Sequence, residues 1–476
     1  MAINLVSTAV MARLVFAGDY GVAVLGGAIL SLAEAVRGLG GGAYLIQEKE
    51  LTNDKVRSCF SVSLAVTVAL SATLFLLSGP LTRYFLMPEL GRYLKVAAMG
   101  YMTGPFVYPV WALMSRSMLL GPIAAIGVAT AVVNAVVGIA LAWLGFSYMS
   151  FAWAGAISAL TGMILFVLVW RDIAIFRPSV RGCRAVIAFG AHDSATAILS
   201  HFAATAPYFI FGRLWSSEAV GIAQRAVMLC LVPERVVLAG VGAVALPAFS
   251  RQVREGRDLT GEYLRATELI TVALWPALLL LGMLASPIVA VLLGPQWRDV
   301  APVVEILTVA LLFSFPASLQ YPTLVAAGAI RYMPPATVLQ SALSLVILYA
   351  AARHGLEATA FSMWLIVPVN GAISFLFIRR VVGVSWRELA QATRKSAICA
   401  VLTAVGPAVA GFATGWHDMP AGTAVIAAAF AGLGWLVGLR LTKHPMLREL
   451  AATADMVRAK LPALPTGRMW TRVRRS

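Results

Sequence analysis

The chain has 476 residues, of which 60% are hydrophobic and only 12% charged, with a formal net charge of +16. Soluble domains carry about 25% charged residues, so this composition excludes a water-solvated globular surface and leaves the bilayer as the solvent. The excess of base does not point to nucleic acid, because the cations sit in short clusters between apolar runs, as the loop charges of a membrane protein do.

A membrane helix needs about 20 mostly apolar residues. Runs of that kind predict an all-α integral membrane protein with about fourteen transmembrane helices. The expected spans are 1–16, 21–43, 58–81, 93–113, 120–144, 149–170, 185–212, 218–247, 266–292, 300–328, 334–352, 356–378, 396–415 and 420–440. The first run is short. At about 1.5 Å per residue it reaches about 24 Å against a hydrocarbon core of about 30 Å, which favours reading Met1 as an internal start. That run also lacks the basic flank and small-residue cleavage site of a signal peptide. Cys59, Cys183, Cys230 and Cys399 show neither metal-ligand spacing nor a paired framework.

Charge tests the helix count. With the N-terminus in the cytoplasm and alternate loops assigned inside and outside, 27 of the 37 Lys and Arg residues fall inside and seven outside. The remaining three, Arg37, Arg225 and Arg235, lie within apolar runs. This is the asymmetry that the positive-inside rule requires of an inner-membrane protein with both termini cytoplasmic. The loops are too short for a soluble catalytic domain. Beyond them, Leu447, Leu450, Ala454, Val457 and Leu461 recur at helical spacing, which predicts an amphipathic helix over 445–461 lying on anionic lipid.

The chain repeats itself. Arg13-Leu14 followed by Gly21 is matched by Arg213-Leu214 followed by Gly221, and Leu51-Thr52 is echoed by Leu259-Thr260. The repeat predicts a six-helix lobe over 1–183, a second over 184–380, two further helices over 381–442 and a basic tail over 443–476. An even number of helices per unit gives both halves one orientation, with substrate bound between them near the midplane.

An embedded Arg costs roughly 2.5–3.5 kcal/mol on insertion scales, so the three arginines must face protein or water. Glu34 and Arg37 stand three apart on the second helix, and Glu234 and Arg235 occupy the equivalent eighth. Two readings are open: a cationic, water-filled cavity for an anionic head-group, or mutual neutralisation of neighbouring charges. Arg225 has no local partner and is the foremost substrate-binding candidate. His192, Asp193 and His201 on the seventh helix are candidates for a proton relay, or are interfacial. Asn134, Glu305, Gln320, Gln340 and Asn370 read as helix–helix hydrogen-bond partners. No phosphate-binding G-x-x-x-x-G-K-[ST] loop is present, so the energy source is expected to be an ion gradient (H⁺ or Na⁺) or removal of product, with no cofactor.

Three segments carry a resemblance. Ala12-Arg13-Leu14 with Gly18-Asp19-Tyr20-Gly21, Leu246-Pro247-Ala248-Phe249-Ser250-Arg251, and Leu293-Gly294-Pro295-Gln296-Trp297 with Ala301-Pro302 stand in the order found in Wzx-type polysaccharide flippases. These belong to the multidrug/oligosaccharidyl-lipid/polysaccharide exporter superfamily, and the resemblance runs over about residues 10 to 390. It implies two six-helix lobes alternating between inward- and outward-facing states. It also implies a substrate of oligosaccharide on undecaprenyl diphosphate, flipped for exopolysaccharide or lipopolysaccharide assembly beside a polymerase or export machinery. Arg37, Arg225 and Arg235 would then hold the pyrophosphate, with Glu34 and Glu234 beside them. The alternatives are a drug exporter of the same superfamily, expected to favour an acidic or aromatic cavity, and the peptidoglycan lipid-precursor flippase. A membrane enzyme would need a sizeable outer loop.

Overall fold

A computed structural model describes residues 2–451, and the side chains of all of these except 2, 4, 5, 192, 193, 195, 196, 242 and 243. In chain order the helices are α1 (Ala2–Leu14), α2 (Ala17–Arg37), α3 (Gly42–Gln47), α4 (Asn53–Phe85), α5 (Pro88–Tyr101), α6 (Gly104–Arg116), α7 (Leu120–Trp143), α8 (Met149–Trp170) and α9 (Cys183–Leu214). They continue as α10 (Ser217–Arg254), α11 (Thr260–Met283), α12 (Ala285–Leu292), α13 (Val300–Leu311), α14 (Phe315–Ser318), α15 (Gln320–Ala326), α16 (Met333–Ala352), α17 (Leu356–Val382), α18 (Trp386–Thr414) and α19 (Ala421–Leu441). Only the first residues of the expected amphipathic tail helix are described, helical over 446–451; the rest of 445–461 lies outside the described residues.

Nine helical stretches among the described residues are long and apolar enough to cross a membrane, and a tenth counts if Ser217–Val241 and Val244–Arg254 form one bent span. The protein is an all-α, multi-pass membrane protein. The other expected crossings fall on α1, on the interrupted pairs α5–α6 and α13–α15, and on α9, whose 32 residues include Arg184, His201 and Arg213. The interruptions have a local cause. Pro105 and Pro316 stand in the first turns of α6 and α14, where a missing backbone N–H is tolerated because the first turn of a helix has no intrahelical acceptor for it.

The outward surface is that of a membrane protein. Val128, Val132 and Val136 line one exposed face of α7, and Val401, Val405 and Val409 do the same on α18. Stripes of this kind would be an aggregation hazard in water and are the normal lipid-facing surface in a bilayer.

The chain divides into two compact units, one of residues 1–230, 285–307 and 337–366 and the other of residues 231–284, 308–336 and 367–476. Both are discontinuous in sequence, whereas the lobes expected from the repeat are contiguous. In the first unit α2 and α10 meet at their N-terminal ends, where a Cβ on Gly21 would lie 1.6 Å from the Ser217 carbonyl oxygen and one on Gly221 would lie 2.2 Å from that of Ala17. Two residues related by the repeat thus pack backbone against backbone. The Gly294-Pro295-Gln296-Trp297 turn docks on the first hairpin of the same unit. Trp297 Nε1–H donates to the Ala12 carbonyl at 2.6 Å, Gln296 Nε2 to the same oxygen at 2.8 Å, and Arg13 Nη2 to the Val291 carbonyl at 2.7 Å. In the second unit α18 packs along α11, joined by a Thr271–Ser396 hydroxyl pair at 2.9 Å, and Trp435 on α19 donates to the Val272 carbonyl at 2.8 Å. Such bonds join helices where lipid offers no hydrophobic driving force.

Candidate functional site

The site begins with how α2 ends. Gly38–Gly40 forms a single 3₁₀ turn, and Gly41 follows in a left-handed conformation (φ +77°) that an L side chain rarely adopts. A Cβ there would also strike Val186 Cγ1 at 2.6 Å. The α-helix ends at Arg37 and leaves Glu34 and Arg37 side by side on its last turn.

Arg37 Nη2 donates to the Glu34 carboxylate and to the Tyr108 hydroxyl, and Tyr108 in turn donates to Glu34 Oε1 at 2.9 Å. The guanidinium carbon lies 4.8 Å from the centre of the Tyr101 ring and 4.3 Å from that of Tyr108. The Tyr101 hydroxyl is spent on the Leu30 carbonyl at 2.5 Å, which fixes that ring. The break between α5 and α6 turns both tyrosines toward α2, and Gly104 leaves room for the guanidinium, its built Cβ lying 3.0 Å from Arg37 Nη1. Arg37 is 10% exposed and Glu34 40%, so the carboxylate is the more accessible partner. The pair lines a cavity of about 440 Å³ with Tyr93, Tyr101, Tyr108, Thr130, Phe151, Ser158 and Phe166, walled by α2, α5, α6, α7 and α8.

This pair is a neutral, hydrogen-bonded cluster rather than a free cation. Its aromatic surroundings stabilise the guanidinium by about 0.5–2 kcal/mol through cation–π contact. The Arg37 Nε is buried without a hydrogen-bond partner.

Arg225 lies elsewhere in the same unit and is 3% exposed. Its guanidinium carbon stands 3.8 Å from the Tyr20 ring centre and 5.2 Å from that of Trp297. Among the described residues, Nη1 reaches only Met228 Sδ at 3.9 Å and Nε has no partner. Aromatic faces therefore stand where a carboxylate would ordinarily be. Between these two sites Tyr208 donates to Gln224 Oε1 across a smaller chamber of about 310 Å³.

The other candidates are placed separately. Glu234 and Arg235 belong to the second unit, where Ser318 Oγ donates to Glu234 Oε1 at 3.4 Å and Arg235 is exposed. His201 is half-buried on α9, and its carbonyl accepts from Thr205 Oγ1 at 2.7 Å. The side chains of His192 and Asp193 lie outside the described residues. Tyr20, Tyr101, Tyr108 and Trp297 were not singled out from the sequence as partners of the arginines. Their only sequence signal is the family-like segments that hold Tyr20 and Trp297.

Residues 10–302 match the family model of a polysaccharide biosynthesis protein. Among curated proteins the chain is similar to a succinoglycan biosynthesis transport protein of Rhizobium meliloti, 24% identical over 68% of this chain and 66% of that one. It is also similar to a lipopolysaccharide biosynthesis protein of Escherichia coli, 20% identical over 65% of this chain and 63% of that one. A teichuronic acid biosynthesis protein of Bacillus subtilis is 20% identical over 58% of each chain. The similarity thus spans less than two thirds of these relatives' own length. Among solved structures, the lipid II flippase MurJ in an inward closed conformation covers 94% of this chain with a TM-score of 0.69 at 12% identity. An inward-facing multidrug resistance MATE transporter covers 80% with a TM-score of 0.59 at 18% identity. These two likenesses establish the fold.

Proposed function

The chain belongs to the polysaccharide biosynthesis protein family, and from that premise we propose that it is a flippase. It carries undecaprenyl-diphosphate-linked oligosaccharide from the cytoplasmic to the outer leaflet of the inner membrane by alternating access. The observation that carries this reading is the polar cavity at the end of α2. Among apolar helices it holds a hydrogen-bonded Glu34–Arg37 pair, three tyrosines, Thr130 and Ser158. A cavity of that kind suits a polar head-group that must leave water while its lipid tail stays in the bilayer. The Arg37 guanidinium is already oriented for an oxyanion, and a phosphate competing with Glu34 would find planar donors in place.

The relatives' names support the substrate class, because they place those proteins in the biosynthesis of succinoglycan, lipopolysaccharide and teichuronic acid. The charge asymmetry supports cytoplasmic termini. A drug exporter fits less well on one ground: the buried Arg225 disfavours a cationic ligand beside it, whereas the accessible Glu34 and the tyrosines of the larger cavity would suit either ligand.

The test is a deletion strain scored for lipid-linked oligosaccharide and for surface polymer. Accumulation of undecaprenyl-linked repeat units on the cytoplasmic side with loss of polymer is the expected outcome. Unchanged pools combined with raised sensitivity to cationic drugs would replace the flippase by the exporter.

A further inference from the structure

Next to the Glu34–Arg37 cavity lies the smaller chamber, of about 310 Å³, with Tyr20, Ser31, Tyr93, Thr205, Tyr208 and Gln224 among its lining residues. Among the described residues, no carboxylate, guanidinium or ammonium lines it. It shares Tyr93 and Phe151 with the larger cavity, so the two adjoin along α2. From Tyr20 to Arg37 the helix advances about 25 Å, at about 1.5 Å per residue.

We infer that this chamber is a sugar subsite: it receives an uncharged sugar ring of the substrate while the polar cavity beside it receives the charged part. The inference rests on the flippase reading and adds where the glycan is recognised. A pyranose has one face of C–H bonds and an edge of hydroxyls. The face suits the electron-rich surface of an aromatic ring, and the edge requires groups that both donate and accept. The chamber supplies both. Tyr20, Tyr93, Tyr208 and Phe151 contribute rings, while Gln224, Thr205 and Ser31 contribute amide and hydroxyl groups. Tyr208 donates to Gln224 Oε1, which orients the amide and leaves its two N–H donors for a ligand. Thr205 Oγ1 donates its proton to the His201 carbonyl and so offers lone pairs.

The rings are held before any ligand arrives. Tyr20 is packed by Phe151 and Trp297, with ring centres 5.7 Å away in each case, and by the Arg225 guanidinium at 3.8 Å. Arg225 is thus a positioning residue for this wall. Its buried charge, with no carboxylate contact among the described residues, also disfavours a cation in the chamber. A hydrocarbon chain would offer no acceptor to the Gln224 N–H donors.

The experiment measures binding to the full chain in nanodiscs by native mass spectrometry with two kinds of probe. One is undecaprenyl diphosphate; the other is the same lipid carrying one hexose, taken in turn as glucose, galactose and N-acetylglucosamine. At least one sugar-bearing probe is expected to bind about tenfold more tightly than the bare lipid. Gln224→Ala is expected to remove that preference and leave bare-lipid affinity unchanged. Tyr208→Phe, which keeps the ring and the packing, should reduce the preference about threefold. Equal binding of all probes by the wild-type protein, or a preference that survives both substitutions, overturns the subsite and leaves the flippase reading standing. Binding of no probe overturns both.

Discussion

Among the described residues, the buried Arg225 guanidinium is faced by aromatic rings and a thioether, an uncommon arrangement with a measurable consequence. Replacing a buried charge by an apolar side chain of similar volume is often neutral or stabilising by about 1–4 kcal/mol. Cation–π contact with Tyr20 and Trp297 returns only about 2 kcal/mol. Arg225→Met is therefore expected to unfold in detergent at the wild-type temperature or above it, while export of polymer falls at least about tenfold. A lower melting temperature with normal export would mark Arg225 as structural alone. His444 offers a second residue-scale test, outside the membrane spans. Its Nδ1 accepts from the Met446 N–H at 3.1 Å, and its buried Nε2 faces Glu268 Oε1 at 3.6 Å. Burial, aided by Lys395, pushes its pKa down to about 4. Glu268 pulls the other way, but Lys395 Nζ at 3.5 Å offsets that carboxylate. A histidine held neutral in the fold contributes stability that is complete above about pH 6.5 and is lost as the pH falls toward 4, because the unfolded chain takes up the proton first. Wild-type protein should thus lose more melting temperature between about pH 7.5 and 4.5 than His444→Gln, and equal losses would remove the linkage. As for what was legible, the Glu34–Arg37 pair could be read because three residues on one helix fix its geometry. Its tyrosine partners lie more than sixty residues away, and nothing local marks them. Arg235 also stands in an apolar run, but such a run does not say which side of its helix is exposed.

The meeting of α2 and α10 was foreshadowed by the repeat, which relates Gly21 to Gly221 before any packing is known. Contact at that distance tolerates no side chain. Overpacking costs about 1–3 kcal/mol where the structure can adjust, and here the obstacle is backbone. Gly21→Ala should therefore lower the detergent melting temperature. Gly27→Ala, on the same helix with nothing within 4 Å of its built Cβ, should raise it through helix propensity worth up to about 1 kcal/mol. If both substitutions behave alike, the close approach does not contribute to stability. Helix ends were less legible than helix existence, for a physical reason. The apolar run measures the length in lipid, whereas the helix continues into its polar first turns. α18 starts at Trp386, ten residues before the run at 396–415, because Ser385 and Glu388 form a capping box there. α4 starts at Asn53 rather than 58, with Thr52 as its N-cap. Elsewhere proline-led breaks divide crossings that composition alone draws as single helices.

For the whole molecule, orientation is the property on which transport direction depends, and charge predicts it. Inside loops hold 27 cations against seven outside if the crossings number fourteen and the N-terminus is cytoplasmic. An error of one crossing early in the chain would exchange the two sets of loops after it and erase the excess. Cysteine labelling tests this directly, because Cys59, Cys183, Cys230 and Cys399 are all free thiols and three of them are buried. In a variant with those four replaced by serine, Phe146→Cys, in the turn between α7 and α8, should react with a membrane-impermeant maleimide in intact cells. Glu255→Cys, just after α10, should react only once the inner membrane is opened. Both positions are exposed in the fold, so failure to label would reflect the membrane and not burial. The reverse pattern would place the termini outside. Because a flippase that loads from the cytoplasmic leaflet needs its basic loops and tail beside the anionic lipid on that side, the same result would also reverse the direction proposed for transport.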